Sequence, residues 1–91
     1  MLKDMHALVI DPDPATLTRI AGLLDHGFRI STRLSPRDAM DYVARARPNV
    51  VLLGIDYWQD GWASEILAAS PETVVVPVLD IPDRTREESV A

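Results

Sequence analysis

A chain of 91 residues with 47% apolar and 25% charged side chains is one domain's worth of sequence, near the size at which a single core stabilises only modestly. Its formal charge of −5 and pI of about 4.7 argue against a nucleic-acid surface, which needs clustered Lys and Arg, while the absence of cysteine excludes disulfides, a thiolate nucleophile and cysteine metal sites. No apolar run spans a bilayer and MLKDMHALVI lacks the marks of a secretory signal, so a cytoplasmic protein with neither membrane nor nucleic-acid partner is expected.

In chain order, Ala7-Leu8-Val9-Ile10 is a short apolar run stopped by Asp11-Pro12-Asp13-Pro14, and reads as a buried strand followed by a loop. Asp13 is placed as an N-cap with Pro14 at the first helical position. Leu17, Ile20 and Leu24 then follow at helical spacing, and Gly27 supplies the stop after His26. Phe28 to Thr32 alternates, with Phe28 and Ile30 expected inward and Arg29 and Ser31 outward. Ser35-Pro36-Arg37-Asp38 has capping-box spacing and opens a helix to about Arg47, with Ala39, Val43 and Ala46 as a small-residue stripe and Pro48 as its end.

Val50 to Ile55 is a second continuous apolar strand. Trp62 to Ala69 is a short third helix ended by Ser70-Pro71, and Thr73 to Leu79 is a β-branched last strand interrupted by Pro77. Strand-helix alternation with apolar strands implies a parallel sheet covered on both faces and joined by right-handed crossovers. The expected organisation is a domain over 1–80 and a charged tail over 81–91, with no internal repeat.

Three segments carry a resemblance. "ALVIDPDPATLTRIAGLL" resembles the first strand and helix of a response-regulator receiver domain, "RARPNVVLLGIDYWQDG" is similar to the third strand that delivers the phosphoacceptor aspartate, and "ASPETVVVPVLD" resembles the fourth strand. The resemblance covers about residues 6 to 80. It implies a three-layer α/β fold of the flavodoxin or CheY-like type, here a C-terminally truncated version with four parallel strands in the order 2-1-3-4. The family's reaction uses an aspartate nucleophile, a divalent cation held by an acid pair, a hydroxyl ending strand four and a lysine ending strand five. Against that pattern Gly54 stands at the nucleophile's position and Pro12 at the second acid, leaving Asp11. Leu79 or Asp80 stands where the hydroxyl would be, and the sequence ends before a fifth strand. The resemblance therefore implies a pseudo-receiver with no phosphoacceptor, no catalytic residue and no cofactor.

A rival reading makes Asp56 a displaced phosphoacceptor with Asp11 and Asp13 as cation ligands, but two residues along a strand would carry it about 7 Å outward. Asp56 and Asp60 read more simply as loop and helix-cap acids, and a weak Mg²⁺ or Ca²⁺ site at Asp11, Asp13 and Asp56 as a second alternative. His6 and His26 read as surface histidines. Serines 31, 35, 64 and 70 have no histidine partner at a motif spacing, and the four glycines form no phosphate loop.

Tyr57, Trp58 and Trp62 crowd three of five aromatics into six residues and are the candidate partner-binding group, with Trp58, flanked by polar residues, as the anchor and Trp62 packed beneath the loop. A sheet ending at strand four leaves that strand as an edge and one face with a single helix. Leu17, Ile20, Leu24, Val74, Val76 and Val78 are therefore the expected surface of a homodimer. The function expected is a non-phosphorylatable interaction module of bacterial signalling, with a regulatory protein as partner. A small acidic antagonist of a basic partner is the reading from another class.

Overall fold

The computed structural model describes residues 5–79. They form β1 (His6–Ile10), α1 (Pro14–Leu24), β2 (Arg29–Arg33), α2 (Pro36–Ala46), β3 (Val50–Gly54), α3 (Ile55–Gln59), α4 (Trp62–Ala69) and β4 (Val74–Val78). All four strands are parallel, in the order β2-β1-β3-β4, as the resemblance implies. The expected tail, 81–91, lies outside the described residues.

The order fixes the layers. The chain leaves β1 towards β2 and then returns past β1 to β3 and on to β4, so right-handed crossovers put α1 on one face and α2 and α4 on the other. On the α2 side, Leu8, Ile10, Val51 and Leu53 pack with Ala39, Val43 and Ile66 into a fully buried cluster. The alternate residues Ala7 and Val9 are equally buried and face α1, as strand alternation requires. Both faces of β1 are thus covered, which is why its sequence is continuously apolar.

The helix starts follow their signals. Asp13 accepts from the Ala15 N–H at 3.1 Å and from the Thr16 hydroxyl at 2.9 Å, and the Ser35 hydroxyl accepts from the Asp38 N–H at 3.2 Å, with Pro14 and Pro36 in the first turn of each helix.

Several expectations shift. Strand β2 runs one residue later than expected, and Ser31 faces α2 instead of solvent because β2, like β1, has a helix layer on each side. Gly27 follows α1 in a turn, its N–H on the Leu24 carbonyl at 3.0 Å, without the positive φ a glycine stop normally uses. That conformation is taken instead by Arg47 (φ 48°) at the end of α2. Ala46 is exposed, so the stripe on α2 is Ala39 and Val43. The third apolar strand ends at Gly54, and Ile55 opens a short helix, α3, within a stretch expected to be loop.

Candidate functional site at the carboxyl end of the sheet

The crossovers diverge between β1 and β3, and in open α/β sheets ligands bind beyond the strand ends at such a point. Here that place is a pocket of about 100 Å³ lined by Asp11, Pro12, Asp13, Gly54, Ile55, Asp56 and Val78. It brings together the three acids singled out in the sequence. Its lining includes no lysine, arginine, serine or threonine. Val78, the register partner of Gly54, lines it where the sequence pattern pointed to Leu79 or Asp80.

Asp11 is 5% exposed. Its N–H donates to the Arg33 carbonyl at 3.2 Å, and its Oδ1 accepts from the Asp13 N–H at 2.9 Å, an Asx turn that steers the chain into α1. The other oxygen, Oδ2, lies over Gly54: a β-carbon on residue 54 would stand 2.7 Å from it and 3.4 Å from the Ile10 carbonyl oxygen. Gly54 has φ −51° and ψ 143°, open to any residue. Its lack of a side chain is thus a matter of space, and the Asp11 carboxylate fills that space.

Asp56 is not displaced along a strand, because β3 has already ended; it is the second residue of α3, in its acidic first turn, and it is exposed on the pocket rim. The parity argument that moved it outward is therefore replaced by a helical turn that keeps it near the crevice. Among the described residues no group of three or more His, Cys, Asp or Glu is placed to hold a metal ion. Asp60 ends α3, its N–H bonded to the Asp56 carbonyl at 3.1 Å, and Gly61 (φ 91°) turns the chain into α4.

The aromatic group divides. The Tyr57 hydroxyl donates to the Leu34 carbonyl at 2.7 Å, tying α3 to the β2–α2 loop. Burial first, and then the negative charges of Asp11, Asp38, Asp56 and Asp60, push its pKa above the ordinary tyrosine value, so the phenol remains a donor at neutral pH. Tyr57 and Trp62 pack partly buried against the core. Trp58 is the exposed member at 36%, and Leu34, whose carbonyl Tyr57 holds, is also exposed. Of the expected dimer residues, Val74 and Val76 are exposed and Ile20, Leu24 and Val78 half-buried. Leu17, at 7% exposed, is buried on the inner side of α1.

A second cluster was not anticipated. His6 is not a surface residue: it is the first residue of β1, 7% exposed. Its Nε2 lies 3.0 Å from the Ser31 hydroxyl and 2.8 Å from that of Tyr42, and the two hydroxyls are 2.7 Å apart. The Tyr42 ring meets the His6 ring edge-on and carries the Arg33 guanidinium 4.5 Å from its centroid. Burial, then the Arg29 charge, lowers the His6 pKa. An imidazole accepting at Nε2 lets both hydroxyl protons point within the triangle, whereas an Nε2–H would leave one without an acceptor. The cluster is a clamp between β1, β2 and α2, and strand alternation applied to His6, Ser31 and the helix position of Tyr42 was the available signal.

In sequence, the chain matches no family model and no curated protein. In structure it is similar to the chemotaxis protein CheY4 of Vibrio cholerae, with a TM-score of 0.69 and 14% identity over 94% of this chain and 78% of that one. The likeness is one of fold. Together with the strand order it makes this chain a four-stranded, all-parallel relative in architecture of the CheY-like fold.

Proposed function

We propose that the chain is a receiver-fold interaction module of bacterial signalling or regulation that works without being phosphorylated, as a cytoplasmic homodimer that engages a regulatory protein. The observation that carries this reading is the pairing of Gly54 with Asp11: the position that aligns with the nucleophile has no side chain, and the carboxylate of Asp11, just past the end of β1, stands where one would begin. A pocket lined without a cationic or hydroxyl side chain gives a transferred phosphoryl group nothing to balance its charge. On this reading the module is neither an enzyme nor a cofactor protein, and its output lies in its surfaces.

Trp58 is the surface that supports a protein partner. An exposed indole on a short helix, held in place by the Tyr57–Leu34 bond, has the character of a binding anchor. Affinity capture from the native cell, comparing wild type with Trp58→Ala and Asp56→Asn, tests the reading. The expected result is a protein retained by wild type and Asp56→Asn and lost at least tenfold by Trp58→Ala, with unchanged thermal stability of all three. Dependence on Asp56, or equal capture by Trp58→Ala, would contradict it.

A further inference from the structure

A second cavity lies at the amino ends of the strands, opposite the crevice. Strands β3 and β4 are each entered from a helix through a proline: α2 runs through Arg47, Pro48 and Asn49 into β3, and α4 through Ser70, Pro71 and Glu72 towards β4. Because β3 and β4 are parallel neighbours, the two connections lie side by side. The Val74 N–H donates to the Asn49 carbonyl at 3.0 Å and the Thr73 hydroxyl to the Pro48 carbonyl at 2.7 Å, which ties them together. Between them is a cavity of about 120 Å³ lined by Arg47, Pro48, Asn49, Ser70, Pro71 and Glu72.

Its polar groups divide by wall. On the α2–β3 connection, Asn49 Oδ1 accepts from the His6 N–H at 2.7 Å. A backbone N–H can be met only by the amide oxygen, so both side-chain N–H donors of Asn49 stay available. Arg47 stands on the same wall and Glu72 on the facing one, and neither of these exposed side chains has a hydrogen-bond or ion-pair partner among the described residues. Arg45, two residues earlier, is by contrast taken by Asp41 at 3.3 Å. The cavity thus sets a cation and an amide donor across from a carboxylate, with the buried Ser70, its hydroxyl 2.7 Å from that of Thr73, as the fixed floor between them.

The backbone adds to this pattern. The C-cap residues of α2 and α4, Arg47 and Ser70, both line the cavity, so the negative ends of two helix dipoles meet there and favour an ammonium group beside Glu72. Arg47 is also the one residue other than glycine with a positive φ, 48°, among the described residues, and backbone strain of this kind gathers at ligand-binding positions.

We propose that this cavity binds the zwitterionic head of a free α-amino acid, its carboxylate held by Arg47 and Asn49 and its ammonium by Glu72. A ligand with a single charge would leave one of the two facing side chains unmatched, whereas an α-amino acid carries both charges on one carbon. The volume is far below the roughly 300–1,000 Å³ of sites for drug-sized ligands, which suits a head group of a few heavy atoms. The site shares no residue with the crevice, and binding there depends neither on the phosphoryl chemistry nor on the homodimer.

Amide correlation NMR spectra of the full chain, titrated with each of the standard L-amino acids and with the decarboxylated and deaminated counterparts of any that binds, test this. The expected result is saturable shifts at Arg47, Asn49 and Glu72 with at least one amino acid, and binding at least tenfold weaker for both counterparts. Arg47→Gly should weaken that binding at least tenfold while its thermal midpoint stays at or above that of wild type. Glu72→Gln should do the same with the fold intact, and the amides of Asp13 and Asp56 at the crevice should not move. No saturable shift with any amino acid, shifts centred on the crevice, equal binding of a singly charged counterpart, or binding retained by either variant would overturn the site.

Discussion

Gly54 and Asp11 compete for one volume, and that competition gives the residue-scale prediction. Placing an aspartate at position 54 would not rebuild a receiver site, because its β-carbon would meet the Asp11 carboxylate at 2.7 Å and add a second negative charge. Moving the Asp11 carboxylate aside would disturb the bond its other oxygen accepts from the Asp13 N–H. Gly54→Asp should therefore cost about 1–3 kcal/mol in urea unfolding, and Asp11→Ala in the same chain should recover most of it, giving a coupling energy of at least about 1 kcal/mol. Additive effects would show that the two residues do not share the space. The His6 clamp makes a second prediction at this scale. A histidine whose folded pKa lies below the ordinary value of about 6.5 binds its proton more readily when unfolded, so stability should be full above that value and fall as pH drops through it. Thermal melts from pH 8 to 5 should show this decline in wild type and a flatter limb in His6→Gln. A wild-type profile that is level across pH 6.5, or one that rises as pH falls, would place the imidazole elsewhere.

The elements differ in how plainly the sequence announces them. The run Ala7–Ile10 is apolar at every position because β1 has a helix layer on both faces, whereas Val50–Leu53 is equally apolar although Val50 and Leu52 are only half-buried; a continuous run bounded by prolines and acids has few other readings. Helices α1 and α2 are announced by caps that satisfy their first N–H groups. Helix α3 was not legible: five residues starting directly after a strand give no repeat of the helical period, and the cap position is Gly54, which offers no side-chain acceptor. That omission misplaced Asp56, the one candidate whose role depended on the backbone path. Ser31 and His6 were misread because alternation says which residues share a face but not which helix packs on that face, and on β2, where no residue is buried, it gives no inward side. The end of α2 supplies a prediction for this scale. Arg47 holds φ 48° with its N–H on the Val43 carbonyl at 2.9 Å, a conformation that costs a side-chain-bearing residue about 1 kcal/mol. Arg47→Gly should raise stability by about 0.5–1 kcal/mol, read as a shift of the urea midpoint at constant slope. A loss of stability would mean that the arginine side chain contributes more than its backbone strains.

At the scale of the whole molecule, the fold and the chemistry separate. The strand order and crossovers are those of the CheY-like fold, and the resemblance in three segments was enough to anticipate them, because each segment ends a strand at the same edge of the sheet. What the crevice holds is different: three acids, a glycine, a proline and two aliphatic side chains, without a positive group to steady a phosphoryl oxygen. The sequence's one lysine, Lys3, precedes the described residues. The exposed apolar side chains of Val74 and Val76 on β4 and of Trp58 on α3 lie outside the lining of the crevice. The central claim is that no phosphoryl group is accepted. Incubation with acetyl phosphate and Mg²⁺ followed by intact-mass measurement addresses it most directly. The account predicts an unchanged mass; the addition of one phosphoryl group, abolished by Asp56→Asn, would contradict it and make Asp56 the acceptor.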